Sequence, residues 1–195
     1  MSNRKEITTR GSDVKDYLTR LGDCLNVLDV AAIEKAVGWI AKAGSDGRFV
    51  FTCGNGGSSC IASHFVGDLM KGAAQSTGIP FKAVCLSDNT PTLMAVANDE
   101  DYEHVFVRPL MSLASRDDVL VAISASGNSP NVLRAVEYAQ GIGCRTIGLT
   151  TGRGGKLLEA ADLALAVDTD HVGRLEDAFL TLCHVMAFSI IDGGS

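Results

Sequence analysis

The chain has little that would place it on a nucleic acid or in a membrane. Its 195 residues contain no block of Lys and Arg, and 23 acidic residues outnumber 17 basic ones for a net charge of −6. A nucleic-acid groove needs a concentrated basic face, so that partner class is excluded as a first reading. The acidic balance serves solubility. No apolar run reaches the roughly 18 residues of a membrane span, and no membrane partner is expected. The first residues, MSNRKEITTRGSDVKDY, lack the charged, apolar and small-residue layout of a secretory signal, so a cytoplasmic protein is expected. No internal repeat or low-complexity segment occurs. None of the six cysteines, at 24, 53, 60, 85, 144 and 183, belongs to a CxxC pair. Several lie in apolar runs, and they read as buried, reduced thiols.

What is present is an ordered alternation. Apolar residues make up 46% of the chain, which implies a globular protein. Residues 13–43 read as two helices, with apolar positions three and four apart in VKDYLTRLGDCLNVLD and VAAIEKAVGWIAKAG. They form an N-terminal helical arm, residues 1–46, whose apolar face needs the core or another subunit. From residue 47 to 195 the rhythm changes. RFVFTC, KAVCLS, DVLVAIS, CRTIGLT and ADLALAV are short apolar runs. Between them lie SCIASHFVGDLMKG, TLMAVAND, YEHVFVRPLMSLAS, NVLRAVEYAQGIG and KLLEAA, and GRLEDAFLTLCHVMAFSII follows the last. Near-continuous apolar strands separated by helices imply strands buried on both faces. The predicted fold is α/β: an open, doubly wound, five-stranded parallel sheet flanked by helices. The final GGS is expected to fray.

In such a sheet ligands bind at the carboxyl ends of strands. Two of those ends carry unusual chemistry: GNGGSS, residues 54–59, and SASGNS, residues 124–129. Glycines let backbone N–H groups approach an anion, serines add donors, and the helix that follows adds partial positive charge. Ser129-Pro130 is a good helix start, serine as cap and proline in the first turn. A Walker A loop would need a lysine that is absent. A dinucleotide fingerprint fits Gly54 and Gly56 but meets Ser59 at its third glycine. Asp88 would then bind a ribose, and SASGNS would have no task. Serine-rich, lysine-poor loops suit a hydroxyl-rich ligand with one phosphate, a sugar phosphate.

CGNGGSSCIASHF, VANDEDYEHVF, ISASGNSPNVLRA and GRLEDAFLTLCH resemble the sugar isomerase (SIS) domain family, and within it the phosphoheptose isomerases, over residues 45–190. The resemblance implies an aldose–ketose isomerase acting on sedoheptulose 7-phosphate. It implies a homotetramer with active sites at subunit interfaces. It places substrate on Asn55, Gly56, Gly57, Ser58, Asp99, Ser124, Ala125, Ser126 and Ser129. It also implies zinc, one per subunit, held by His64, Asp68, Glu176 and His184, with Asp68 and His184 as the acid/base pair. The chemistry agrees in part with spacing. His64 and Asp68 are four apart and share a helix face. A metal there would polarise a sugar carbonyl, and a carboxylate and an imidazole would move a proton between C1 and C2.

The pattern departs from the family at three places: Asp68 replaces a glutamate, Glu176 a glutamine and Gly173 an aspartate. Glu176 and His184 are eight apart, about 12 Å of rise and roughly 80° around a helix. Asp177 shares a face with His184 more closely and stands as a reserve ligand. The alternative function is a non-catalytic sugar-phosphate sensor or adaptor that keeps the loops while the altered acid/base set is idle. His104 and His171 read as surface residues, DEDYE as a charged helix start, and Arg174 as a phosphate or subunit contact.

Overall fold

The computed structural model describes residues 11–193, so the first ten residues of the arm and the last two of the terminal GGS lie outside the described residues. Five strands form one parallel sheet: β1 Phe49–Gly54, β2 Lys82–Cys85, β3 Val119–Ser124, β4 Arg145–Thr151 and β5 Leu163–Val167. Their order is β2-β1-β3-β4-β5. All four ladders are parallel, with Phe51 opposite Val84 and Leu120, and Val121 opposite Ile147. The predicted doubly wound sheet is the observed one.

Both faces of the strands are buried because helices cover both. On one face Val50, Val121, Ile147 and Leu149 pack with Phe65, Leu69, Phe179 and Leu182. On the other, Phe51, Cys53, Leu120 and Ala122 pack with Phe106, Leu110, Val132 and Val136. Alternate residues of one strand therefore enter different cores, which is why the strands read as continuous apolar runs.

The arm is α1, Gly11–Asn26, and α2, Val30–Ser45, capped by the Asp29 carboxylate on Ala32 N at 3.0 Å. One face of the arm joins the sheet core through Cys24, Ile33, Ala36 and Ile40. Its outer face leaves Val14, Leu18, Val27 and Val30 exposed.

After β1 comes α3, Gly57–Gly67, which continues as a π-helical segment, Asp68–Ala73, and then α4, Ala74–Thr77. Gly78, at φ 71°, ends it in the left-handed conformation. The stretch 102–115 is shorter in helix than its pattern suggested. It forms a 3₁₀ turn, Tyr102–His104, after α5, Thr90–Asp99, and then α6, Val107–Leu113. Pro109 explains the break, since it has no N–H to donate and is tolerated only in a helix's first turn. The acidic start does cap: the Asp101 carboxylate accepts from Glu103 N at 2.8 Å. The remaining helices are α7 Pro130–Gly141, a single turn α8 Leu157–Ala160, and α9 Val172–Gly193. Among the described residues no helix is long and apolar enough to cross a membrane.

Five cysteines are buried as expected, but Cys60 is exposed. It lies on the outward side of α3, between the inward Ile61 and the half-buried Ser59.

Candidate functional site

The strand order reverses direction between β1 and β3, and this is the point at which an open α/β sheet binds ligands. The two serine-rich loops leave these two neighbouring strands, with Gly54 paired to Ile123. Sequence distance of about 70 residues thus becomes adjacency.

The first loop is tightly made. Ser87, unremarked in the sequence, holds its base: Gly54 N donates to Ser87 Oγ at 3.3 Å and that hydroxyl donates to Gly54 O at 2.9 Å. Gly56 has φ 54° and ψ −124°, a conformation that costs any L side chain. Gly57 opens α3, and Ser58 is buried beneath it. Ser59 Oγ turns back to Gly56 O at 2.7 Å.

The second loop rests on the strand end and on the loop after β4. Ser124 Oγ donates to Ser129 Oγ at 3.1 Å. Ser129 therefore does not cap α7 with its side chain as expected, although its carbonyl starts the helix by accepting from Leu133 N at 3.0 Å. Ser126 is exposed, and Asn128 N donates to its Oγ at 3.2 Å. Ala125 lies between the serines and is half-buried. A Cβ on Gly127, at φ 66°, would meet Thr150 Oγ1 at 2.7 Å, so only glycine lets the loop lie against β4.

Two residues without sequence warning, Asn131 and Tyr102, tie Asn55 of the first loop to its surroundings. Asn55 and Asn131 exchange two side-chain hydrogen bonds of 2.9 Å each, and Tyr102 Oη donates to Asn55 Oδ1 at 2.9 Å. Asp99 is exposed at the end of α5, its Oδ1 accepting from Asn98 Nδ2 at 2.7 Å, three residues before Tyr102. Asp88 accepts from Ser63 Oγ at 2.9 Å, so the carboxylate that a ribose would need is already engaged.

At the far end of α3 three donors converge. His64 Nε2 is 2.8 Å from His184 Nε2 and 3.4 Å from Asp68 Oδ2, and His184 Nε2 is 3.9 Å from the same oxygen. His64 and Asp68 meet because they are four apart where α3 passes into the π-helical segment, a feature that often marks functional positions. His184 comes from α9, 120 residues later. Asp68 Oδ2 is buried and has no hydrogen-bond partner, an orphaned acceptor aimed at two imidazoles. Two nitrogens and one carboxylate oxygen within 4.8 Å of one another suit a divalent metal. Three protein ligands with an open fourth position is the arrangement of catalytic zinc.

Glu176 does not join this cluster. Its carboxylate lies over Gly57, where an added Cβ would be 2.4 Å from Oε1 and 2.8 Å from Cδ. The reason is the one the spacing gave: eight residues of α9 separate the two positions by about 12 Å of helix rise and roughly 80° of rotation. Asp177, the reserve ligand, is also elsewhere, accepting from Tyr17 Oη at 2.5 Å. That bond raises the Tyr17 hydroxyl above its ordinary pKa and ties the arm to α9. Gly173 leaves the room Tyr17 fills, since a Cβ there would be 2.9 Å from the Tyr17 hydroxyl. Arg174 is buried, 5.7 Å over the Tyr17 ring and 3.7 Å from Asp170, and pairs with no group of either loop. His171 is exposed, and His104 is half-buried with Nδ1 2.9 Å from Asp101.

With this geometry in view, comparison with known proteins is specific. The SIS domain pattern matches residues 15–151. A phosphoheptose isomerase of Rhodospirillum rubrum is 37% identical over 177 residues, covering 91% of each chain. One from Aliarcobacter butzleri is 35% identical over 182 residues, 92% of this chain and 95% of its own. Among solved structures, a phosphoheptose isomerase from Francisella tularensis superposes with a TM-score of 0.85 at 30% identity, over 93% of this chain and 95% of that one.

Proposed function

This chain belongs to the SIS domain family, and on that premise we propose that it converts sedoheptulose 7-phosphate to D-glycero-D-manno-heptose 7-phosphate. At the coarser level it is an isomerase of the phosphoheptose-isomerase kind, acting on a sugar phosphate. The observation that carries the finer reading is the layout along α3. Its first turn carries the anion loop, and its last turn carries His64, which Asp68 of the following π-helical segment and His184 of α9 join in one cluster. Gly57 and His64 are seven positions apart, about 10 Å along the axis. An extended seven-carbon sugar phosphate can reach from one to the other.

In this reading Ser124, Ser126 and Ser129, with the amide of Ala125, hold the phosphate at the start of α7. Asn55, Gly56 and Gly57 offer backbone amides, Ser58 lies beneath them, and Asp99 accepts from a sugar hydroxyl. His64, Asp68 and His184 would hold zinc, which when bound supplies Lewis-acid polarisation of the sugar carbonyl. The proton chemistry is an enediol shift. A base removes a proton from C1 of the open-chain ketose while the C2 oxygen gains one. Return of a proton to C2, with loss of the one on O1, gives the aldose. Asp68 and His184 are the acid/base pair of this scheme, and Glu176 is a second carboxylate beside the sugar, at the loop. The assembly of this reading is a homotetramer with sites at subunit boundaries. It is supported by the exposed Val14, Leu18, Val27 and Val30 and by an apolar groove of about 700 Å³ between the arm and α9.

NMR of metal-depleted protein with sedoheptulose 7-phosphate, before and after zinc is added, tests the reading. Aldoheptose phosphate is expected with zinc, and none in His64→Ala. Binding without product in both conditions would replace the isomerase by a sugar-phosphate sensor.

A further inference from the structure

We propose that Asn131 is a positioning residue, a clasp that fixes the two ligand loops to each other across the point where the strand order reverses. The proposal rests on reading these loops as the sugar-phosphate site. Asn131 is the second residue of α7 and only 1% exposed. Its Nδ2 donates to Asn55 Oδ1 at 2.9 Å, and its Oδ1 accepts from Asn55 Nδ2 at 2.9 Å and from Val132 N at 3.0 Å. The oxygen of Asn55 has two lone pairs, and both are taken, one by Asn131 and one by Tyr102 Oη at 2.9 Å. One continuous chain of hydrogen bonds thus runs from the Asp99-bearing segment, through the first loop, to the first turn of α7.

A buried amide is costly unless it is paired, and an apolar side chain would fill the same space at less risk. What the amide does that an apolar residue cannot is hold Asn55. No close substitute repeats it. Aspartate has no N–H to give Asn55, and glutamine places the same group a methylene too far. With its side chain held from both sides, Asn55 leaves its backbone, and those of Gly56 and Gly57, as the part that faces a ligand. The first turns of α3 and α7 must meet a single ligand, so their separation matters. A displacement of about 1 Å at such a site costs on the order of 10²-fold. Asn131 sets that separation and touches no substrate itself.

The test uses the full chain with Asn131→Ala and, separately, Tyr102→Phe, which alters an exposed side chain and leaves the core alone. The expected result is a rise in KM for sedoheptulose 7-phosphate of about 10- to 10²-fold in Asn131→Ala, with kcat changed much less. Tyr102→Phe, which removes one of the three bonds, gives a smaller rise in the same direction. Amide hydrogen exchange without ligand should quicken across residues 54–59 in both variants, while β3 and β4 keep their protection. A folded Asn131→Ala with wild-type KM and wild-type exchange at 54–59 would overturn the clasp. So would a fall in kcat at constant KM. If Asn131→Ala does not fold, Tyr102→Phe with unchanged KM and exchange overturns it equally. Exchange needs no substrate, so it decides the clasp even if the wild-type protein leaves the heptose phosphate unconverted and the isomerase reading fails.

Discussion

Gly57→Ala separates chemistry from folding at this site. Gly57 does not have a positive φ, so alanine meets no backbone strain there. As the first residue of α3 it even gains helix propensity, up to about 1 kcal/mol in favour of alanine. The new Cβ, however, would lie 2.4 Å from Glu176 Oε1, against 3.4 Å for ordinary contact, so the carboxylate must retreat by 3.4 − 2.4 = 1.0 Å. Glutamate is flexible, so the retreat costs little stability. The net change is within about 1 kcal/mol, a Tm shift of roughly 2–4 °C for a domain of this size. If Glu176 acts on the sugar, a shift of about 1 Å lowers kcat/KM on the order of 10²-fold. The assay is isomerisation of sedoheptulose 7-phosphate beside a thermal melt. Activity within twofold of wild type would refute a working position for Glu176. A Tm loss well beyond that range would refute the argument that the side chain yields freely.

Other consequences can be checked directly. Zinc at about 100 times its Kd should stabilise the protein by about 2.7 kcal/mol, and His64→Ala should lose most of this shift in a melt. Of the six thiols, Cys60 alone should react quickly with a thiol reagent near pH 8.5. Burial pushes Cys144 up to about 11 and raises Cys53 and Cys183 further, so these stay protonated thiols at that pH, and several fast thiols in native protein would contradict the burial. Val27→Asp, on the exposed outer face of the arm, should reduce the mass seen by light scattering if the arm joins subunits, and an unchanged mass would remove the arm from the interface.

The legibility of the site was uneven. The loops were visible because their chemistry is local. Glycines, serines and a helix start lie within six residues, and the backbone there follows from those residues. Ser129 shows the limit even so. Its place before Pro130 gave the helix start correctly, but its hydroxyl went to Ser124, a partner that β3 supplies. Asn131 and Tyr102 carried no signal, since an asparagine in a helix and a tyrosine near an acidic run have no fixed role until β1 and α7 are side by side. Cys60 misled because average burial of cysteine says nothing about which way one residue of α3 faces.

The five parallel strands, most of the helices between them and the pairing of His64 with Asp68 were legible in the order of residues alone. These follow from periodicity and from contacts a few residues apart. The packing of the whole chain set the rest. It turned α9 so that His184 meets His64 across 120 residues while Glu176 lies at Gly57. It gave Asp177 to Tyr17 of the arm, 160 residues away. It brought Asn55 to Asn131 across 76. The physical reason is common to all three. A residue's helical face is set by its neighbours in sequence, but what that face meets depends on the order in which the strands assemble and on the cores that fix each helix against the sheet.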